Sequence, residues 1–213
     1  MNKQVSYKAI LADLDGTVNR GSILIDGARA AYEDLSSKGI KWVFISNNAS
    51  SLAADLAKKI SELGIDVDEG QVVNSASALI RTLQREHRGA RVMVIGQPRL
   101  MEGVQQAGAI VESDPQKTEI VVTAMDRSFS YEKLTAAHLA LQRGAQFWAT
   151  NLDATFPVAD GFRPGAGSIA AAGQAVAGRP PDRVFGKPLP DMAHLTLEIL
   201  GIDASACLVV GDR

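Results

Sequence analysis

Two aspartates, Asp13 and Asp15, stand one residue apart where the apolar run "KAILA" ends, and Gly16 and Thr17 follow them. Carboxylates this close repel each other unless a cation or hydrogen-bond donors compensate. A hard cation such as Mg2+, which takes oxygen ligands and keeps several waters, resolves the conflict. A calcium loop does not fit, because Val18 and Leu24 occupy the positions that require Gly and Glu. Two other readings compete: the isolated D-x-D metal ligand of a nucleotide-sugar transferase, and a pair of solvated turn aspartates.

Three further polar clusters weaken the turn reading. After "WVFI" comes "SNNASS", where Ser46 offers a hydroxyl and the next residues lead into "LAADLAKK", a helix whose N-terminal amides favour an anion. In "VFGKPLPD", Lys187 is constrained between a glycine and a proline just ahead of a helix, where it can meet phosphate as a point charge. "CLVVGDR" ends a strand with Asp212, a second natural metal ligand. Each cluster alone is ordinary: a serine cap, a surface lysine, a turn aspartate. Their ordered combination is far more specific.

The elements that must position these residues alternate in type. Short β-branched runs, "KAILAD", "KWVFIS", "RVMVIG", "EIVVTA", "QFWAT" and "CLVVGD", are separated by stretches of helical period. Those stretches are "GARAAYEDLSSKG", "SLAADLAKKISELG", "SASALIRTLQREH", "QPRLMEGVQQAG", "SYEKLTAAHLALQRG", "GSIAAAGQAVAG" and "PDMAHLTLEILG". This is the pattern of βαβ units on a parallel sheet. In such a sheet ligands bind beyond the carboxyl ends of the strands, where Asp13, Asp15, Ser46 and Asp212 all fall.

With 213 residues, 46% of them hydrophobic, the chain can form one large domain or a core carrying an inserted smaller one. A net charge of -2, with no basic block, disfavours nucleic acid as a partner. Cys207 has no partner for an internal disulfide and reads as a buried, inert thiol. No apolar h-region precedes Asp13, and no segment approaches the ~20 apolar residues of a membrane span. A cytoplasmic protein without a membrane partner is the expectation.

Taken together, these residues resemble the haloacid dehalogenase superfamily of phosphohydrolases: "DLDGT" looks like its first motif, Ser46 its second, Lys187 its third and "GDR" the start of its fourth. More narrowly, "ISNNAS", "AMDRSFSYEKL", "ATNLDATFP", "RPGAGS" and "VFGKP" are similar to the branch of 4-nitrophenylphosphatase-like, phosphoglycolate, pyridoxal phosphate and NagD-type nucleotide phosphatases. The resemblance implies an α/β protein with a Rossmann-like parallel-sheet core of the haloacid dehalogenase type and an inserted α/β cap. The core would comprise 1–82 and 180–213, and the cap 83–179, its sheet built from "RVMVIG", "EIVVTA" and "QFWAT". It implies a phosphatase acting on a small organic phosphomonoester, such as a sugar, nucleotide, glycolate or cofactor phosphate.

In that family pattern Asp13 is the nucleophile, Asp15 the acid and base, and Lys187 a neutralising cation. Ser46 and the Asn47 amide bind the phosphoryl oxygens. Mg2+ takes the Asp13 carboxylate, the Asp15 carbonyl and Asp212. The family usually continues "GDRxxTD", so the chain reads as C-terminally shortened and without that further acidic residue. The resemblance also allows a homodimer through the cap.

Within the cap, Asp126, Arg127, Asn151 and Asp153 are candidates for substrate contact or, equally, for satisfying turn backbones. The "GAG" of Gly165 to Gly167 reads as a tight turn into a helix rather than a nucleotide cradle. His138 reads as packed, His87 as solvated, and Leu195 with Ile199 as a core stripe. Two functions besides hydrolysis stay open on the same residues: a non-catalytic phosphate-ligand binding protein, and a phosphotransferase in which an alcohol captures the aspartyl-phosphate.

Overall fold

Apolar on both faces, the run "AILA" is buried along its length and forms the body of an inner strand. The computed structural model describes residues 7–158 and 160–212. Met1–Ser6, part of the segment read for a targeting signal, and Arg213 of "GDR" lie outside the described residues. The chain opens with β1 (Ala9–Asp13), β2 (Asn19–Arg20), β3 (Ile23–Leu24), α1 (Ala28–Ser37), β4 (Lys41–Ser46), α2 (Ala53–Glu62) and β5 (Val72–Asn74). It continues with α3 (Ser75–Glu86), β6 (Arg91–Ile95), α4 (Pro98–Gln106), β7 (Ile110–Val111), β8 (Ile120–Thr123), α5 (Tyr131–Gln142) and β9 (Gln146–Ala149). Last come β10 (Thr155–Val158), β11 (Gly161–Pro164), α6 (Ala166–Ala177), β12 (Arg183–Val184), α7 (Asp191–Leu200) and β13 (Cys207–Val210). No helix among the described residues is long and apolar enough to cross a membrane.

The chain divides into two compact units. The first comprises Met1–Ser46, Ala53–Asn74 and Asp191–Arg213. Its sheet is parallel throughout, in the order β13-β1-β4-β5. Alternate residues Ile10 and Ala12 of β1 join Phe44 of β4 and Val72 of β5 in a core closed by Leu56, Ala57 and Ile60, the buried stripe of α2. Burying the larger of these, the Ile, Leu, Val and Phe side chains, stabilises by about 1.5–3 kcal/mol each. Tyr32, Trp42 and Phe44 extend that core as an aromatic group, with Trp42 and Phe44 stacked at 6.0 Å between ring centroids.

Strand β13 is an edge of this sheet, and Val209 on it is 65% exposed. Cys207 is half-buried, and burial pushes its thiol above the ordinary range. Helix α7 corrects one expectation. It buries Met192 and Thr196, spaced four apart, whereas Ile199 is 52% exposed, so the Leu195 and Ile199 stripe is not its core face.

The second unit comprises Asn47–Leu52 and Ser75–Pro190, and the 83–179 span lies within it. A second parallel sheet runs β12-β9-β8-β6-β7, so "RVMVIG", "EIVVTA" and "QFWAT" are its three adjacent inner strands. Met93, Ile95, Val121 and Phe147 pack against Ala137, Ala140 and Leu141 of α5 and Ile169 of α6. The small residues of α6 permit a close approach: a Cβ on Gly173 would lie 2.8 Å from Phe147 Cζ. His87 is half-buried edge-on to Trp148 at 5.0 Å, not solvated, because the aromatic face offers its ring an apolar seat. His138 is half-buried, as the packed reading requires. β10 and β11 form an antiparallel hairpin.

Candidate active site

In the first unit, parallel register brings the carboxyl ends of three strands to one edge of the sheet. Asp13, last residue of β1, pairs with Ile45, so Ser46 ends β4 one residue beyond that level. Ala12 pairs with Val210, and Asp212 follows two residues later. Asp13, Ser46 and Asp212 are thereby gathered at the edge where strand polarity directs ligands. Asp13 is half-buried and Ser46 only 3% exposed. The Leu14 N–H donates to Asp13 Oδ1 at 2.8 Å, fixing the carboxylate against its own backbone.

A tight turn carries Asp15 beyond the strand. Val18 and Asn19 N–H donate to the Leu14 carbonyl at 2.9 and 3.0 Å, and Gly16 N–H donates to the Asn19 carbonyl at 2.8 Å. Asp15 is exposed on this turn, with Asn19 Nδ2 a long 3.4 Å from its Oδ1. Asn19 is itself buried and donates to the Gly21 carbonyl at 3.0 Å, a turn-holding role that a lone Asn after "DGTV" does not announce.

Gly16 has φ +98°, and a Cβ there would lie 2.3 Å from Asp212 Oδ2. The missing side chain is what lets the Asp212 carboxylate lie beside the Asp15–Gly16 backbone. The groups expected to hold a cation here are all oxygen: two carboxylates, Asp13 and Asp212, and the Asp15 carbonyl. Among the described residues no cluster of three His, Cys, Asp or Glu side chains forms a metal cage. A hard divalent ion that is content with few protein ligands and several waters fits such a set.

In the second unit, Asn47 joins three loops. Its Nδ2 donates to Asp153 Oδ2 at 2.9 Å and to the Lys187 carbonyl at 3.1 Å, while its Oδ1 accepts the Lys187 N–H at 2.7 Å. The Asn47 carbonyl accepts from Asn151 Nδ2 at 2.8 Å and Ser75 Oγ at 2.9 Å. Asp153 N–H donates to Asn151 Oδ1 at 3.1 Å. Gly186 makes this approach feasible, since a Cβ on it would lie 2.5 Å from Asn151 Cβ and 2.8 Å from Asn47 Oδ1. Asn47, Asn151, Asp153 and Lys187 thus form one hydrogen-bonded group.

Asp126 and Arg127 lie elsewhere in this unit, past the end of β8. Asp126 is buried. Its Oδ1 accepts the Ser128 N–H and hydroxyl at 2.8 and 2.9 Å, and its Oδ2 accepts from Lys133 Nζ at 2.7 Å. Burial alone raises its pKa, but the Lys133 ammonium and the Ser128 donors outweigh it and hold the carboxyl below the ordinary value. Arg127, next to it, is exposed. The "GAG" segment packs backbone on backbone: Gly165 N–H donates to the Ala154 carbonyl at 2.8 Å and Gly167 N–H to the Asp153 carbonyl at 2.9 Å. Both glycines shape the loop carrying Asn151 and Asp153.

Residues 10–110 match the family model described as haloacid dehalogenase-like hydrolase. An acid sugar phosphatase of Staphylococcus aureus is 36% identical over 206 residues, which cover 97% of this chain and 79% of that protein. The solved p-nitrophenyl phosphatase from Archaeoglobus fulgidus superposes with a TM-score of 0.92 at 33% identity, covering 98% of this chain and 79% of its own. A glycerol phosphate phosphatase from Mycobacterium tuberculosis, solved in complex with magnesium, gives a TM-score of 0.88 at 33% identity, covering 98% of this chain and 62% of its own.

Proposed function

Because the chain belongs to the haloacid dehalogenase-like hydrolases, in their 4-nitrophenylphosphatase and NagD-like branch, and is a phosphoric monoester hydrolase, we propose that it cleaves a small organic phosphomonoester by way of an aspartyl-phosphate on Asp13, with Mg2+ as its metal. The observation that carries this reading is the gathering of Asp13, Ser46 and Asp212 at one sheet edge, with the Gly16 backbone bared toward Asp212. Mg2+, held by Asp13, the Asp15 carbonyl and Asp212, would supply charge neutralisation at the phosphoryl oxygens.

An oxygen of Asp13 attacks phosphorus as the ester P–O bond breaks, and Asp15 gives its proton to the departing alkoxide. Asp15 then takes a proton from the water that attacks the aspartyl-phosphate, and the P–O bond to Asp13 breaks to release phosphate. Ser46 and the Asn47 N–H hold the phosphoryl oxygens, and Lys187 meets the charge that builds on them. Arg127, which is exposed, would contact the leaving group, whereas the Asp126 carboxylate beside it holds the turn through Ser128 and Lys133. A sugar phosphate is favoured within the substrate class by the acid sugar phosphatase relative. A cytoplasmic setting, with free phosphate esters as partners, agrees with such substrates.

The test is Asp13→Asn. The variant should keep the fold and lose hydrolysis of 4-nitrophenyl phosphate in the presence of Mg2+; turnover equal to the parent's would sink the assignment.

A further inference from the structure

Asn47 uses every atom of its carboxamide within the second unit. Its oxygen takes the Lys187 N–H, and its nitrogen gives to the Lys187 carbonyl and the Asp153 carboxylate. Gripping both the N–H and the C=O of one residue is a two-point hold, comparable to a bridge between strands. It fixes the backbone from which the Lys187 side chain departs. The hold has only one sense, because a flipped amide would set Asn47 Oδ1 against a carboxylate and its NH2 against an N–H.

Asp153 reinforces this sense and takes the second N–H of the amide, through a charge-assisted bond at 2.9 Å. Asp153 is seated in turn by the Asn151 side chain on its N–H, and by the Gly167 N–H on its carbonyl. Asn151 closes the ring by donating to the Asn47 carbonyl.

Resting on the phosphatase reading, in which Lys187 is a catalytic cation, we propose that Asp153 and Asn151 are positioning residues. They set Lys187 through the Asn47 carboxamide rather than contacting the leaving group. Electrostatic stabilisation of a phosphoryl transition state depends on placement, and a shift of about 1 Å can cost about a hundredfold in rate. A residue that acts through Lys187 works on the phosphoryl end of the substrate, which every ester shares. Its loss therefore lowers kcat by one factor whatever the leaving group, and leaves KM close to the parent's.

The experiment compares D153A and D153N with the parent on two esters of unlike leaving group, 4-nitrophenyl phosphate and glucose 6-phosphate. A positioning role predicts that D153A loses about 10- to 100-fold in kcat on both esters alike. D153N, which keeps an oxygen acceptor for Asn47 Nδ2, recovers most of that loss. A change confined to KM, a factor differing tenfold between the two esters, or equal losses in both variants would overturn the proposal. Hydrogen exchange at the Lys187 amide provides a readout independent of turnover. It should speed up about tenfold or more in D153A, as the bond to Asn47 Oδ1 loses its oriented acceptor, and unchanged exchange would equally overturn it. Were the phosphatase reading to fail, Asp13→Asn would match the parent, while the exchange measurement would still decide whether Asp153 holds Lys187.

Discussion

Replacing Gly16 by alanine tests the proposed metal-binding edge through a residue that carries no chemistry. A Cβ there would lie 2.3 Å from Asp212 Oδ2 and 2.8 Å from its Cγ, so the carboxylate must retreat by roughly 1 Å to restore ordinary contact. Mg2+ holds its ligands at about 2.0–2.1 Å in near-octahedral array, so a carboxylate moved that far would no longer serve as a ligand. The positive φ adds a strain of about 1–2 kcal/mol that any L-residue would bear. Gly39 isolates that second effect, since its φ is +81° with nothing within 4 Å of a Cβ. G39A should destabilise without touching the metal.

The assay is thermal melting of parent, G16A and G39A with and without Mg2+, at a concentration a hundred times the parent's Kd. Binding then stabilises the parent by about 2.7 kcal/mol, a rise in Tm of about 5–11 °C for a chain of this size. Weakening of affinity by about 10- to 100-fold, the cost typical of a disturbed ligand environment, leaves roughly 0.4–1.4 kcal/mol at the same concentration. The Mg2+-induced rise should therefore shrink to about 1–6 °C in G16A and stay at the parent's value in G39A. Equal Mg2+ shifts in the two alanine variants would refute the placement of Asp212 as a ligand.

Two further substitutions test the second unit. Lys133→Met leaves the buried Asp126 carboxylate without its ammonium and should cost roughly 1–3 kcal/mol in denaturant unfolding near neutral pH. Because the Asp126 pKa is lowered in the fold, its contribution is present above the unfolded aspartate value, about 3.9, and is lost as pH falls through the folded value. The parent and K133M curves should therefore converge below about pH 4; a difference that stays constant down to pH 2 would refute it. Gly167→Ala, inside a helix where alanine ordinarily gains about 1 kcal/mol, should instead destabilise by about 1–3 kcal/mol. Its Cβ would lie 2.2 Å from the Leu152 carbonyl oxygen, which backbone cannot easily yield. Melting temperature reads the sign directly.

What could be read from the sequence is what side-chain type and period encode. The six strand segments and seven helices appear where apolar runs and helical spacing place them, because each is long enough to show its period. β5, with only Val72–Asn74, and the two-residue β7 and β12 carry too few residues for any period. They are strands because neighbouring strands pair with them. The β10 and β11 hairpin hides for another reason: two prolines interrupt it, and Phe162, 74% exposed, breaks the inward and outward alternation. In α7 the sequence offers two apolar stripes, and Thr196 lies on the buried one because its hydroxyl donates to the Met192 carbonyl within the helix, at 2.7 Å.

The candidate site divides along the same line. Asp13, Asp15, Ser46 and Asp212 stand out because polar side chains close the ends of apolar strand runs, and Lys187 because a glycine and a proline flank it. Asn47, Asn151 and Asp153 could be picked out by type, yet an asparagine reads alike whether it meets a sugar hydroxyl or a peptide. Only the fold reveals that Asn47 meets partners 104 to 140 residues away and leaves none of its carboxamide atoms unengaged. Glycine carries the clearest trace of that arrangement in the sequence. Gly165 and Gly167, a weak nucleotide-loop signal in isolation, and Gly186, seen merely as the residue before a lysine, are each required where backbone or a buried side chain fills the place of a Cβ. Here small residues beside polar loops mark contacts between loops, and the distance to a hypothetical Cβ identifies them.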